Sequence, residues 1–147
     1  MHEYSSRDFG KTKAEIECQV PERLIHRGVE ETGLIDSFSG ERKHPVFVVD
    51  LPTKTMSVTI GHLGVGQSTR LHRHTYETVL YILEGSGRTW LGEREVPWEA
   101  GDAVYVPVWA WHRHENTGSV RVRYVACENA PLLQNLGGLA LREESIS

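Results

Sequence analysis

A chain of 147 residues is long enough for one domain with a real apolar core and needs no disulfide staples to hold it. The formal net charge of −4 comes from both signs interspersed along the chain. This excludes the basic patch that nucleic acid or an anionic membrane requires and leaves a small molecule as the expected partner. No segment approaches a membrane span, the first ten residues lack the apolar stretch of a signal peptide, and Cys18 and Cys127 stand alone, so the expected compartment is the reducing cytoplasm.

Residues 1–45 are polar and weakly patterned, with a hint of a short helix within 22–35, and read as an irregular arm. Such an arm, beside strands with β-branched outer faces, suits exchange between the two subunits of a homodimer. From Val46 the text changes to short β-rich runs: Val46 to Val49, Met56 to Ile60, Thr78 to Leu83, Arg88 to Leu91, Ala103 to Pro107 and Val120 to Cys127. Gly, Pro and Asp punctuate them, and helical periodicity is almost absent. The expected fold over 46–130 is therefore all-β, a closed antiparallel barrel or double-sheet jelly roll. In the remaining segment, 131–147, Pro131 can start and Gly137 can stop one short C-terminal helix before a tail.

His72 and His74 carry the chemistry on a short strand. Side chains two apart on a strand point the same way, so both can close on one cation while His112 arrives from another strand, beyond Pro107. Three imidazoles in a water-poor barrel are hard to satisfy without an ion, whereas a divalent cation satisfies them in their neutral forms. His26, His44 and His62 lie apart from these segments and read as surface residues, and Asn116 reads as fixing a turn. Tyr76, Tyr105 and Tyr124 are candidates either for the pocket wall or for plain sheet packing.

Gly66, His72, Arg73, His74, Glu84 and Gly85 form one block, and Gly101, Asp102, Pro107, His112 and Asn116 a second. Their order and spacing resemble the two motif blocks of the cupin superfamily. The resemblance implies a cupin-type antiparallel β-barrel with a metal at its centre or mouth. Where most cupins add a Glu ligand, this chain has Thr78. Glu77 is adjacent, but one step along a strand reverses the side chain, so it could ligate only across a bulge.

The HisArgHisThr run from His72 and the run from Trp109 to Asn116 resemble the gentisate and salicylate 1,2-dioxygenase branch, which also lacks that Glu. The resemblance implies Fe(II) held by His72, His74 and His112, with His114 beside a substrate ring hydroxyl as the catalytic acid or base, or else supporting a ligand. Trp109, Trp111, Tyr76, Thr78 and Leu80 are the candidates for a substrate wall, and for the two indoles barrel or interface packing is the favoured alternative. Leu80 stands where the branch keeps an Arg that grips the substrate carboxylate, so gentisate itself is not carried over. Arg70, Arg88, Arg121 and Arg123 are the candidates to replace that Arg. The expected activity is dioxygenase-like, on a small aromatic or hydroxy acid. The alternatives are a lyase, isomerase or hydrolase with Zn, Mn or Ni in the same shell, or a non-catalytic module for a small ligand.

Overall fold

The computed structural model describes residues 18–32 and 44–146. The greater part of the expected arm lies outside the described residues; of the helix hinted at there, α1 (Val29–Thr32) is described. Ten strands follow: β1 (Val46–Val48), β2 (Ser57–Leu63), β3 (His72–His74), β4 (Thr78–Glu84), β5 (Ser86–Leu91), β6 (Arg94–Glu99), β7 (Ala103–Val106), β8 (His112–Asn116), β9 (Val122–Glu128) and β10 (Arg142–Glu144). The helix expected after residue 130 is α2 (Ala130–Asn135), with Pro131 in its first turn. Among the described residues no helix is long and apolar enough to cross a membrane.

The strands form two antiparallel five-stranded sheets, in the orders β1-β2-β9-β4-β7 and β10-β3-β8-β5-β6. Together they make the expected jelly-roll barrel. Period-2 burial shows why β4 is a strand: Thr78, Leu80 and Ile82 are buried while Val79, Tyr81 and Leu83 are exposed. The inward residues of β4 join Leu63, Trp98, Val104, Val122, Tyr124 and Ala126 in one apolar core between the sheets. At Gly85, between β4 and β5, φ is +88° and a Cβ would lie 2.8 Å from the Arg121 carbonyl, so this corner requires glycine.

The end of the chain differs from the plain tail expected for it. Arg142 to Glu144 pair with β3 as an edge strand, Arg142 opposite His74 and Glu144 opposite His72. A run of three charged residues has no apolar alternation, so its pairing is fixed by the partner strand and carries no sequence signal.

Candidate metal centre

Register assembles the site. His72 stands opposite His112 where β3 meets β8, and His74 follows two residues along on the same face. One ring nitrogen of each lies within 4.8 Å of those of the other two, and all three residues are buried. The Nδ1 atoms of His72, His74 and His112 sit 2.6, 2.7 and 2.8 Å from the carbonyl oxygens of Arg70, Tyr76 and Ala110. A carbonyl can only accept, so each Nδ1 carries the proton and donates it, and each Nε2 keeps its lone pair.

Burial holds all three rings neutral. It pushes His74 down to about 4, with lesser contributions from the charges of His112 and Arg142 and opposition from the Tyr76 carbonyl. Burial drives His72 far lower, helped by His112 and Arg142, and lowers His112 with help from Arg142. Three neutral, carbonyl-oriented imidazoles with converging lone pairs are a donor set that fits a divalent transition metal. Among the described residues no carboxylate joins this group.

The cavity beside the triad is small, about 40 Å³. One wall comes from β3, β8 and β10, with His72, His74, His112, His114, Arg142 and Glu144. The facing wall comes from β2, β4 and β9, with Thr59, Thr78, Leu80, Tyr124, Ala126 and Glu128. Thr78 and Leu80 thus reach the cavity, and cross-strand pairing sets Glu128 opposite Thr78, whose hydroxyl donates to its carboxylate at 3.3 Å. Glu77 is exposed and accepts from the Tyr105 hydroxyl at 3.1 Å, which puts both residues on the outside.

Other expected wall residues lie elsewhere. Tyr76 is buried behind the triad, stacked on His74 with ring centroids 4.0 Å apart. Trp109 and Trp111 enclose the Arg73 guanidinium at 4.3 and 4.5 Å from their ring centroids. Arg73 alternates with His72 and His74 and so points away from the cavity, which takes both indoles with it. Their contribution is to the loop that supplies the Ala110 carbonyl to His112, and Trp109 accepts a φ of +63° there while its N–H donates to the His74 carbonyl.

Of the candidate arginines, Arg88, Arg121 and Arg123 pair with Glu115, Glu84 and Glu30, and Arg70 reaches the cavity, where it pairs with Glu144 at 3.4 Å, as Arg142 does at 3.1 Å. Arg142, carried inward by β10, was not foreseen. His44 is a correction too: it is buried and lines the cavity, its Nε2 3.1 Å from the Tyr124 hydroxyl. The chain returns across the barrel just before β1, and no sequence pattern marks that. Asn116 fixes a turn, donating to the Leu63 and Val120 carbonyls and accepting from the Gly118 N–H.

The family model for the cupin domain matches residues 59–127, from within β2 to within β9. That stretch of the barrel is similar to a cupin domain. Over 83 residues the chain is 34% identical to a 5-aminosalicylate 1,2-dioxygenase of a Comamonas species, a match covering 56% of this chain and 22% of that protein. It superposes on a salicylate 1,2-dioxygenase from Pseudaminobacter salicylatoxidans with a TM-score of 0.66 at 22% identity, covering 75% of this chain and 35% of the other, a likeness of fold. A predicted oxalate decarboxylase from Thermotoga maritima matches with a TM-score of 0.51 at 27% identity, over 58% of this chain and 80% of that one. The chain thus spans about a fifth of the curated dioxygenase and most of the smaller protein.

Proposed function

We propose that this protein is a cupin and an Fe(II) dioxygenase-like enzyme acting on a small aromatic or hydroxy acid, with His72, His74 and His112 as the metal ligands. The observation that carries this reading is a triad of neutral Nε2 donors with no carboxylate among the described residues of the group, in a barrel related to 5-aminosalicylate 1,2-dioxygenase. Iron bound there would supply the redox chemistry of O2 activation.

The chain's own residues do the rest. Arg70 and Arg142, both hydrogen-bonded to Glu144, attract an acid and orient its carboxylate by exchanging that partner for it. Leu80 and Ala126 offer a flat ring an apolar surface and help exclude water. The test is oxygen uptake by anaerobically reconstituted iron protein with a panel of dihydroxybenzoates and hydroxynaphthoates. Uptake with one or more is expected, and none with any would overturn the ring-cleaving reading.

The likeness to a predicted oxalate decarboxylase, most of whose length this chain covers, favours a second reading: an O2-independent lyase, isomerase or hydrolase with Zn or Mn in the same triad. Turnover under anaerobic conditions selects it. In either reading the enzyme is a homodimer, supported by the exposed outer stripe of Val79, Tyr81, Leu83 and Tyr105 on β4 and edge strand β7. Light scattering at the monomer mass would contradict the dimer.

A further inference from the structure

His114 belongs to the same wall as the triad, yet its hydrogen bonding is of another kind. Its Nδ1 lies 2.8 Å from the Thr89 hydroxyl, directly across the β5–β8 ladder, where the triad imidazoles each meet a carbonyl. Thr89 is fully buried, and its hydroxyl has a second partner, the indole Nε1 of Trp98 at 2.9 Å. An indole N–H can only donate, so one lone pair of the Thr89 oxygen is already committed. Among the described residues Thr89 makes no other side-chain hydrogen bond, so its own proton has one place to go, His114 Nδ1. Were Nδ1 protonated instead, the hydroxyl would receive two donors and bury its proton without an acceptor, which is unfavourable.

A neutral imidazole whose Nδ1 accepts carries its proton on Nε2. Among the described residues that atom has no hydrogen-bond partner, and His114, though buried, lines the cavity. The indole that starts this relay is held in place: its ring packs over Gly87, where a Cβ would come 2.5 Å from Trp98 Cη2.

We infer that Trp98 and Thr89 lock His114 in the Nε2–H tautomer, opposite to its three neighbours, making it a fixed hydrogen-bond donor to an acceptor oxygen of the bound acid. The contact to an acid rests on the proposed function; the tautomer does not. Three imidazoles then offer lone pairs to a cation, while the fourth turns an N–H toward the same space. That proton bars His114 from the metal and suits it to a substrate carboxylate, phenolate or carbonyl oxygen. It also removes His114 from the role of proton acceptor at the cavity, since the nitrogen with the free lone pair faces Thr89. Thr89 and Trp98 are positioning residues for that donor.

The test is long-range ¹H–¹⁵N correlation on metal-free protein with labelled histidine. His114 is expected with Nε2 protonated and Nδ1 bare, and His72, His74 and His112 with the reverse. T89V and W98F are each expected to release His114 into a mixture of tautomers, and T89S to keep it fixed; should T89V fail to fold, W98F against T89S decides. A wild-type His114 protonated at Nδ1, or a tautomer unchanged in W98F and T89V, overturns the relay. In zinc-loaded protein, salicylate is expected to move the Nε2 proton downfield. Salicylate that does not bind, or that binds without moving it, overturns the oxygen contact. Oxygen uptake plays no part in these readouts, so a failure of the dioxygenase reading and a failure of the tautomer are separately visible.

Discussion

Replacing Gly61 by Ala tests how the cavity wall is built. Gly61 is buried on β2 opposite Tyr124 on β9, and a Cβ there would stand 2.6 Å from Tyr124 Cε1, with the tip of the ring closer still. The ring would have to retreat by roughly 1 Å or more to regain ordinary contact. That movement breaks the 3.1 Å bond to His44 and carries the ring toward the triad. Overpacking costs about 1–3 kcal/mol and the lost hydrogen bond about 1 more, so G61A is expected to destabilise by about 2–4 kcal/mol. For a chain of this length that is a fall in Tm of roughly 6–15 °C. The sign is diagnostic, because alanine for glycine in an unobstructed strand stabilises by some tenths of a kcal/mol. Urea melts of G61A, Y124L and the double variant form the assay. In the Y124L background the alanine is expected to cost less than about 1 kcal/mol, since the ring it strikes is gone. Equal costs in both backgrounds would refute the steric account.

Three further outcomes follow from the same geometry. N116A, which strips partners from the Leu63 and Val120 carbonyls and the Gly118 N–H, is expected to lose about 2–4 kcal/mol in urea melts; a loss under 1 would contradict that role. R142Q is expected to raise KM for a carboxylate substrate about tenfold or more with a smaller change in kcat, and unchanged kinetics would remove Arg142 from substrate binding. The metal-free protein is expected to weaken with acid. Its buried histidines stay neutral when folded but take protons near pH 6.5 when unfolded, so stability falls as pH drops below that value. Each contributes about 1.4 kcal/mol per pH unit, His74 until its folded value near 4. A flat urea midpoint between pH 7 and 5 would contradict this.

What the sequence disclosed was governed by alternation along single strands. His72 and His74 share a face because they are two apart, and the same rule directs Thr78 and Leu80 inward and Glu77 outward. Trp109 and Trp111 read as packing or as pocket wall, and the loop before β8 folds them around Arg73, a cation–π contact with no signature in spacing. Arg142 and Glu144 were invisible because their inward direction depends on pairing with β3, some seventy residues away along the chain. His44 and Thr89 were missed for the same reason: each matters through one cross-barrel partner, Tyr124 for the first and His114 for the second. Leu80 marks the absence of a first-block arginine; of the four candidate replacements Arg70 reaches the cavity, and Arg142, which was not among them, lines it too.

The central claim is that His72, His74 and His112 hold a divalent metal. Elemental analysis of the purified protein beside its H72A variant tests it most directly, with circular dichroism to show that the variant is folded. The account predicts a stoichiometric divalent ion in the wild-type protein, iron on the dioxygenase reading, and its loss from folded H72A. A wild-type protein that takes up no metal when supplied with Fe(II), Zn or Mn, or a variant that keeps its full complement, would contradict it.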